Sequence, residues 1–337
     1  MFNKILVPLD GSSLAESVLP HLIFWTHLTG AKMILLHVLE HSTGAGQVQS
    51  IDPIDWQFRQ FEAEAYLKDV YRRLREAGLT GSIDQVLVEG RAPDRIMEYA
   101  QEHAVDLIVL SSHGHGGLSG WNISSVVQKV VTRAWTSLLL VRAYQPEHQN
   151  WQAFQYRRIL TLLDGSQRAE SVLPLLYRLS QKPEIELMLV HVVVRSDIPS
   201  RVPLTPAEHD LIDNLVERNC TEMTKYFEQL KARFSNNVQT RVLINENVAT
   251  ALHQLVEDEM TDLVLLSAHG YSGETKQPYG NISTNFISHS TSPLLIVQDL
   301  SHQEIEPSLA ERLAHQNDNE RRTMIYNDKD ETLETLS

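Results

Sequence analysis

Two sequence blocks each occur twice in this chain, and that duplication constrains its fold more than any other feature. Leu6-Val7-Pro8-Leu9-Asp10-Gly11-Ser12 returns as Leu160-Thr161-Leu162-Leu163-Asp164-Gly165-Ser166. Val105-Asp106-Leu107-Ile108-Val109-Leu110-Ser111-Ser112-His113-Gly114 returns as Thr261-Asp262-Leu263-Val264-Leu265-Leu266-Ser267-Ala268-His269-Gly270. Asp10 and Asp164 lie 154 residues apart, and Gly114 and Gly270 lie 156 apart. Two independent blocks displaced by nearly one distance mean a duplicated unit. The period is too long for a solenoid repeat and has the size of a whole domain.

Within each unit, short apolar runs alternate with amphipathic stretches. The first unit reads as strands at 5–8, 33–39, 83–88, 107–110 and 138–141. Helices are expected from Ser12 or Ser13 to Leu28, with Glu16 placed for a capping box, and at 54–76, 92–103 and 125–134. Ile54, Phe58, Phe61 and Ala65 share one face of the second of these. The second unit repeats the order, with strands near 158–163, 186–194, 239–244, 263–266 and 294–297. Its long helix spans about 206–234, after a loop punctuated by Pro199, Pro203 and Pro206. Strands in alternation with helices predict an α/β fold of two doubly wound domains, each a five-stranded parallel sheet with helices on both faces. Near-continuous apolar strands fit burial on both sides. The expected organisation is a first domain over 1–142, a linker over 143–156, a second domain over 157–299 and an acidic tail over 300–337. A short helix at 307–315 is the only element expected in that tail, whose charged remainder is expected to be disordered.

Composition narrows the function classes. The formal charge is −14, and residues 301–337 hold nine Asp and Glu against four Lys and Arg. Such a balance disfavours nucleic acid, whose phosphate backbone demands Lys and Arg. It leaves a single nucleotide open, because backbone N–H groups and a helix N-terminus can hold phosphate. No run approaches the ~18 apolar residues of a membrane span, and no signal peptide is read at the N-terminus. Cys220 is the only cysteine, which fits a reducing cytoplasm. Its place among Ile212, Val216, Met223, Phe227 and Leu230 predicts a buried structural thiol.

Ligands of doubly wound sheets bind outside the carboxyl ends of the strands. Asp10, Gly90 and the loop Ser111–Gly114 all follow a predicted strand end and should converge. The Pro-Leu-Asp-Gly-Ser strand end and the Ser-Ser-His-Gly loop resemble the universal stress protein family. So does the spacing that follows, in which a glycine, a second glycine three positions on, a third ten beyond that, and a Ser or Thr are expected. Ser111, Gly114, Ser124 and Ser125 take those places in the first copy, and Ser267, Gly270, Gly280 and Asn281 in the second. The resemblance covers about 1–142 and 157–298. It implies strand order 3-2-1-4-5 and pairing of domains through the last strand, here Leu138–Val141 with Leu294–Val297, as an intramolecular pseudo-dimer; homodimerisation stays open. It also implies an adenine nucleotide, ATP or AMP, with magnesium an accompaniment of ATP.

On that resemblance Asp10 accepts from an exocyclic amine, Val38 lines the adenine, and Gly90 leaves room by the ribose. Gly114 lets backbone approach phosphate. Ser124 and Ser125 open a helix whose free N–H groups favour negative charge. Pro8, Leu9, Leu110, Ser111, His113 and Val126 complete the first set. The weaker second set is Asp164, Val192, Ser267, His269, Gly270, Gly280 and Asn281. Departures from the pattern matter. Ser replaces the first glycine in both copies, and Ser124 replaces the third in the first copy. Were φ positive there, a serine would cost on the order of 1 kcal/mol. Glu246 aligns with Gly90 and is expected to repel a ribose-phosphate.

Other readings are weaker. His113 and His115 lack a third metal ligand nearby. Asp10, Ser12 and His113 have the residue types of a hydrolase triad, but no Gly-x-Ser-x-Gly elbow exists and Ser12 suits a helix cap. No P-loop or dinucleotide fingerprint is present. Asp106 and Asp262 are assigned to turn chemistry, and Trp121 to either a lid or packing. Three function classes follow: a cytoplasmic nucleotide-binding regulator of the stress response, a nucleotide-free interaction module, and a slow ATPase with His113 as base.

Overall fold

The computed structural model describes residues 2–40, 53–114, 123–143, 151–195, 204–234, 237–271 and 277–300. The expectations for His115, Trp121, Pro199, Pro203 and the tail beyond residue 300 therefore fall outside the described residues.

The first copy runs β1 (Lys4–Pro8), α1 (Ser13–Glu16), α2 (Leu19–Thr29), β2 (Lys32–Leu39), α3 (Pro53–Glu76), β3 (Ile83–Glu89), α4 (Ala92–Glu102), β4 (Leu107–Ser111), α5 (Ser125–Val131) and β5 (Ser137–Val141). The second runs β6 (Arg158–Leu162), α6 (Leu173–Leu179), β7 (Glu186–Val194), α7 (Pro206–Lys231), β8 (Val238–Asn245), α8 (Val248–Asp258), β9 (Leu263–Ser267), α9 (Asn281–His289) and β10 (Leu294–Val297). Each copy has the predicted order 3-2-1-4-5, all parallel. The two sheets join through their last strands, as the resemblance implied. β5 and β10 pair antiparallel, Leu294 opposite Leu140 and Ile296 opposite Leu138, so one ten-stranded sheet runs through the molecule.

Alternation along the strands explains the two cores. Ile5, Val7 and Leu139 point to the face covered by α2, α3, α6 and α7. Leu6, Leu138 and Leu140 point to the face covered by α4, α5, α8 and α9. Polar contacts reinforce the seam. The buried Arg142 guanidinium donates to the carbonyls of Phe286 and Ile287, both at 2.9 Å. The Tyr279 hydroxyl donates to Thr136 O at 2.7 Å.

Four local expectations are corrected. The single helix expected over 12–28 breaks at Ser17–Val18, because Pro20 lacks an N–H and its ring clashes with a continuing turn. Pro174 starts α6 in the same way. Ser12 caps α1, accepting from Ala15 N at 3.1 Å. Glu16 joins no capping box, since Arg73 of α3 holds both its oxygens at 2.8 Å. Asp106 and Asp262 serve no local turn: Asp106 accepts from Asn3 and Lys4 N–H, and Asp262 from Arg157 and Arg158 N–H. Each carboxylate fastens the entry of one strand to that of its neighbour. Cys220 is half-buried rather than core, because only Phe227 and Leu230 of α7 are buried.

The face of α3 carrying Ile54, Phe58 and Phe61 does not pack inward. These side chains are 75%, 59% and 68% exposed, and the helix buries Ala63, Leu67, Val70 and Leu74 instead. The aromatic residues placed in the linker do pack: Tyr156 is fully buried, with its hydroxyl 2.5 Å from His21 Nδ1.

Candidate functional site

The carboxyl ends of β1, β2 and β4 surround a cavity of about 450 Å3. Eleven of the twelve first-copy residues singled out in the sequence line it: Pro8, Leu9, Asp10, Val38, Leu110, Ser111, His113, Gly114, Ser124, Ser125 and Val126. The twelfth, Gly90, does not. Its φ of +137° demands glycine, but the Arg95 side chain lies over it and donates to Glu89 O at 2.7 Å. Sequence reasoning missed Leu36, Glu40, Ala92 and Ile96, which close the β2 side. The offered signal was the position of Glu40, directly after a strand end.

Asp10 organises the cavity floor. Its Oδ1 accepts from Ser12 N–H at 3.0 Å and from the Ser12 hydroxyl at 2.6 Å, bending the chain at Gly11, whose φ is +83°. A Cβ on Gly114 would collide with Asp10 Oδ2. The glycine is thus required by a neighbouring carboxylate within the protein itself. Ser12, tied to Asp10 and capping α1, makes no triad with His113. The Ser111 hydroxyl is engaged by Ser17 at 3.3 Å, which accounts for serine at the first glycine position. Ser124 has φ −63° and ψ 156° and caps α5 by accepting from Val127 N–H. The strain anticipated for a serine there is absent, since Gly280 in the second copy is also at negative φ, −70°.

His113 is buried. The Ser112 hydroxyl accepts from Ala143 N–H at 3.1 Å and is hydrogen-bonded to His113 Nδ1 at 3.0 Å. Nε2 has no hydrogen-bond partner among the described residues. Nearby, burial lowers the His37 pKa against the opposing pull of the Asp10 charge.

A second cavity of about 430 Å3 lies between β6, β9 and α9. Asp164, Ser267, His269, Gly270, Gly280 and Asn281 line it. Val192 is in the core instead, and no residue of β7 or α8 contributes. Glu246, expected to repel a ligand, is exposed and away from the cavity. Asp164 repeats the clamp, accepting from Ser166 N–H and Tyr271 N–H at 2.9 and 2.7 Å. His269 differs from His113. Its Nδ1 is 2.7 Å from Asp299 Oδ1 and its Nε2 2.9 Å from Gln277 O. An acceptor faces each nitrogen, an arrangement that favours the doubly protonated ring. Burial opposes this charge, but Asp299 and the Gln277 carbonyl outweigh it and raise the pKa above the ordinary histidine value. Arg168 Nε lies 3.7 Å from Asp299 Oδ2.

Among the described residues no three His, Cys, Asp or Glu side chains converge on a metal position. No helix among them is long and apolar enough to cross a membrane.

Comparison with known proteins places these features in a family. A profile of the universal stress protein family matches residues 1–142 and 155–298. A universal stress protein of Methanocaldococcus jannaschii is 26% identical over 157 residues, 42% of this chain and 96% of that relative. The structure of a universal stress protein from Archaeoglobus fulgidus covers 89% of this chain and all of its own, with a TM-score of 0.62 at 17% identity. A universal stress protein solved in complex with cAMP is 23% identical, covering 42% of this chain and 98% of its own, with a TM-score of 0.33.

Proposed function

The chain belongs to the universal stress protein family, as a tandem member whose two copies build one sheet, and from that premise we propose that it is an adenine-nucleotide-binding regulator in the cytoplasmic response to stress. The first cavity is the working site. The observation that carries this reading is the convergence of eleven sequence-marked residues on one cavity of about 450 Å3, within the size range of small-molecule sites. The cavity spans three adjacent strands, β2, β1 and β4. A nucleotide laid across them puts its base against Val38 and its phosphates at Gly114, Ser124 and Ser125. Asp10 follows β1, the middle strand, between the base and phosphate ends. Magnesium accompanying ATP would be held chiefly by phosphates and water.

The second cavity keeps the side between β6 and β9 but has no wall from β7 or α8. It is the weaker site, and the second copy acts mainly by completing the pseudo-dimer. Denaturing extraction of freshly purified protein, with adenine nucleotide identified and counted per chain, tests this assignment. One per chain is expected. Two would promote the second cavity, and none, with no binding on added ATP or AMP, would discard the nucleotide reading.

The exposed stripe Ile54, Phe58 and Phe61 favours a second reading, an interaction module that needs no nucleotide. A protein whose melting temperature does not move in millimolar ATP or AMP would fit it, because a bound ligand must stabilise the native state.

A further inference from the structure

Among the described residues Glu40 is the one acidic side chain lining the β2 end of the first cavity, and it is bound in place. It directly follows β2 and lines the cavity with Val38, Ala92 and Ile96. One carboxylate oxygen accepts from Ala92 N–H at 2.6 Å, which fixes the group at the start of α4. Two consequences follow. The N-terminus of α4 already has its anion, so this end of the cavity disfavours phosphate. The remaining lone pairs make the same end an acceptor for a donor on a ligand. Asp10 follows β1 and is tied to the turn at Ser12, so among the described residues Glu40 is the carboxylate that serves the far side.

We propose that Glu40 is the specificity-determining residue of the first cavity, its carboxylate accepting from the exocyclic amine of an adenine-type base and repelling a carbonyl oxygen at that position. The inference rests on the nucleotide reading above. The apolar neighbours Val38, Ala92 and Ile96 supply the walls for a ring. The charged acceptor supplies direction, since a charge-assisted hydrogen bond is stronger than a neutral one. The second copy gives the internal control. Val194 stands at the position of Glu40 there, 45% exposed and outside the second cavity. Among the described residues only the first copy has a carboxylate at this position to read the base.

The experiment measures AMP and IMP binding by calorimetry on the full chain and on Glu40→Gln. IMP differs from AMP at this edge in carrying a carbonyl oxygen for the amine. The glutamine amide oxygen can still accept from Ala92 N–H, so the start of α4 keeps its partner, while the NH2 turns the cavity-facing group into a donor. The wild-type chain should prefer AMP by roughly tenfold, as expected for one exposed charge-assisted bond. Glu40→Gln should weaken AMP and strengthen IMP, cutting the preference at least to parity. Equal losses for both nucleotides would mean that Glu40 only supports α4, and would overturn the proposal while leaving the nucleotide site standing. Binding of neither nucleotide to the wild-type chain would overturn the nucleotide reading and this inference with it.

Discussion

The two cavities grew from one sequence pattern, yet they treat their loop histidine in opposite ways. In the first, Ser112 and Ala143 surround His113 with neutral groups and leave Nε2 without a partner among the described residues. In the second, Ala268 and Asp299 occupy those two positions, and Arg168 replaces Leu14. The result is a charged chain, Arg168 to Asp299 to His269 to the Gln277 carbonyl. His269 is held at both nitrogens, whereas among the described residues His113 is held only at Nδ1. Three substitutions around a single side chain accompany that difference. A buried histidine with both nitrogens satisfied has little left to offer a ligand.

Several changes would break or sharpen this contrast. The largest effect is expected from Gly114→Ala, whose added Cβ collides with Asp10 Oδ2. The Asp10 carboxylate under the first cavity must then swing away from its place, with little loss of stability. Nucleotide affinity at the first site should fall by two orders of magnitude or more. Gly270→Ala makes the matching collision with Asp164 in the second copy. It should displace the Asp164 carboxylate in the same way and leave the nucleotide affinity intact. Equal losses of affinity in both variants, seen by titration, would erase the asymmetry between the sites.

Arg142→Met comes next. It removes the guanidinium that serves the Phe286 and Ile287 carbonyls across the seam; Phe286 O keeps the Ser290 N–H at 3.0 Å, and losing the two charged hydrogen bonds should cost about 2 kcal/mol. Because those carbonyls belong to α9, the damage should fall on the second copy. Hydrogen exchange should rise along α9 before it rises along α5. The reverse order would show that the seam does not act on the second cavity.

Much of this comparison was legible in the sequence, and the limits are physical. The duplicated blocks announced the two copies and the strand–helix alternation announced parallel sheets, while the strand order and the strands that meet at the seam came from the family resemblance. Alignment alone could not say which neighbouring side chain covers a backbone position. Gly90 aligned with a ligand-facing glycine but lies beneath Arg95. Glu246 aligned with Gly90 and was therefore assigned a contact it does not make. The apolar face of Ile54, Phe58 and Phe61 has helical period, and period says that residues share a face without saying what that face meets. Asp299 follows the last matched strand by two residues, so its pairing with His269 was visible only once β10 had been placed beside β9.

Asp299→Asn tests the charged chain directly. The raised pKa of His269 means that its interaction stabilises the fold fully below the unfolded histidine value of about 6.5. The contribution is lost as pH rises through the folded value. Wild-type stability should therefore decline across the range above about pH 6.5, more steeply than that of Asp299→Asn. At pH 6 the variant should be less stable by about 1–2 kcal/mol, with the gap closing in alkali. Denaturant titrations at pH 6, 7.5 and 9 read the difference. A gap that stays constant with pH would mean that His269 does not carry the charge.

The smallest effect is expected from Ser124→Gly, which gives the first copy the glycine that the second has at Gly280. Sequence comparison alone makes Ser124 look like a defect, a side chain where the backbone should be bare. The backbone argues otherwise. Ser124 and Gly280 occupy the same extended region, with φ of −63° and −70°, and their N–H groups make equivalent bonds to Ser112 O and Ala268 O. Glycine at Gly280 answers a local crowding, since a Cβ there would sit 3.2 Å from Ala268 O. At Ser124 the hydroxyl is the cap of α5, and a cap replaced by glycine costs only a few tenths of a kcal/mol, about 0.3. Ser124→Gly should therefore lower stability slightly and leave nucleotide affinity within about twofold. A gain in affinity of tenfold or more would mean that the serine does impair the site, and that the first cavity has drifted from its pattern as far as the second.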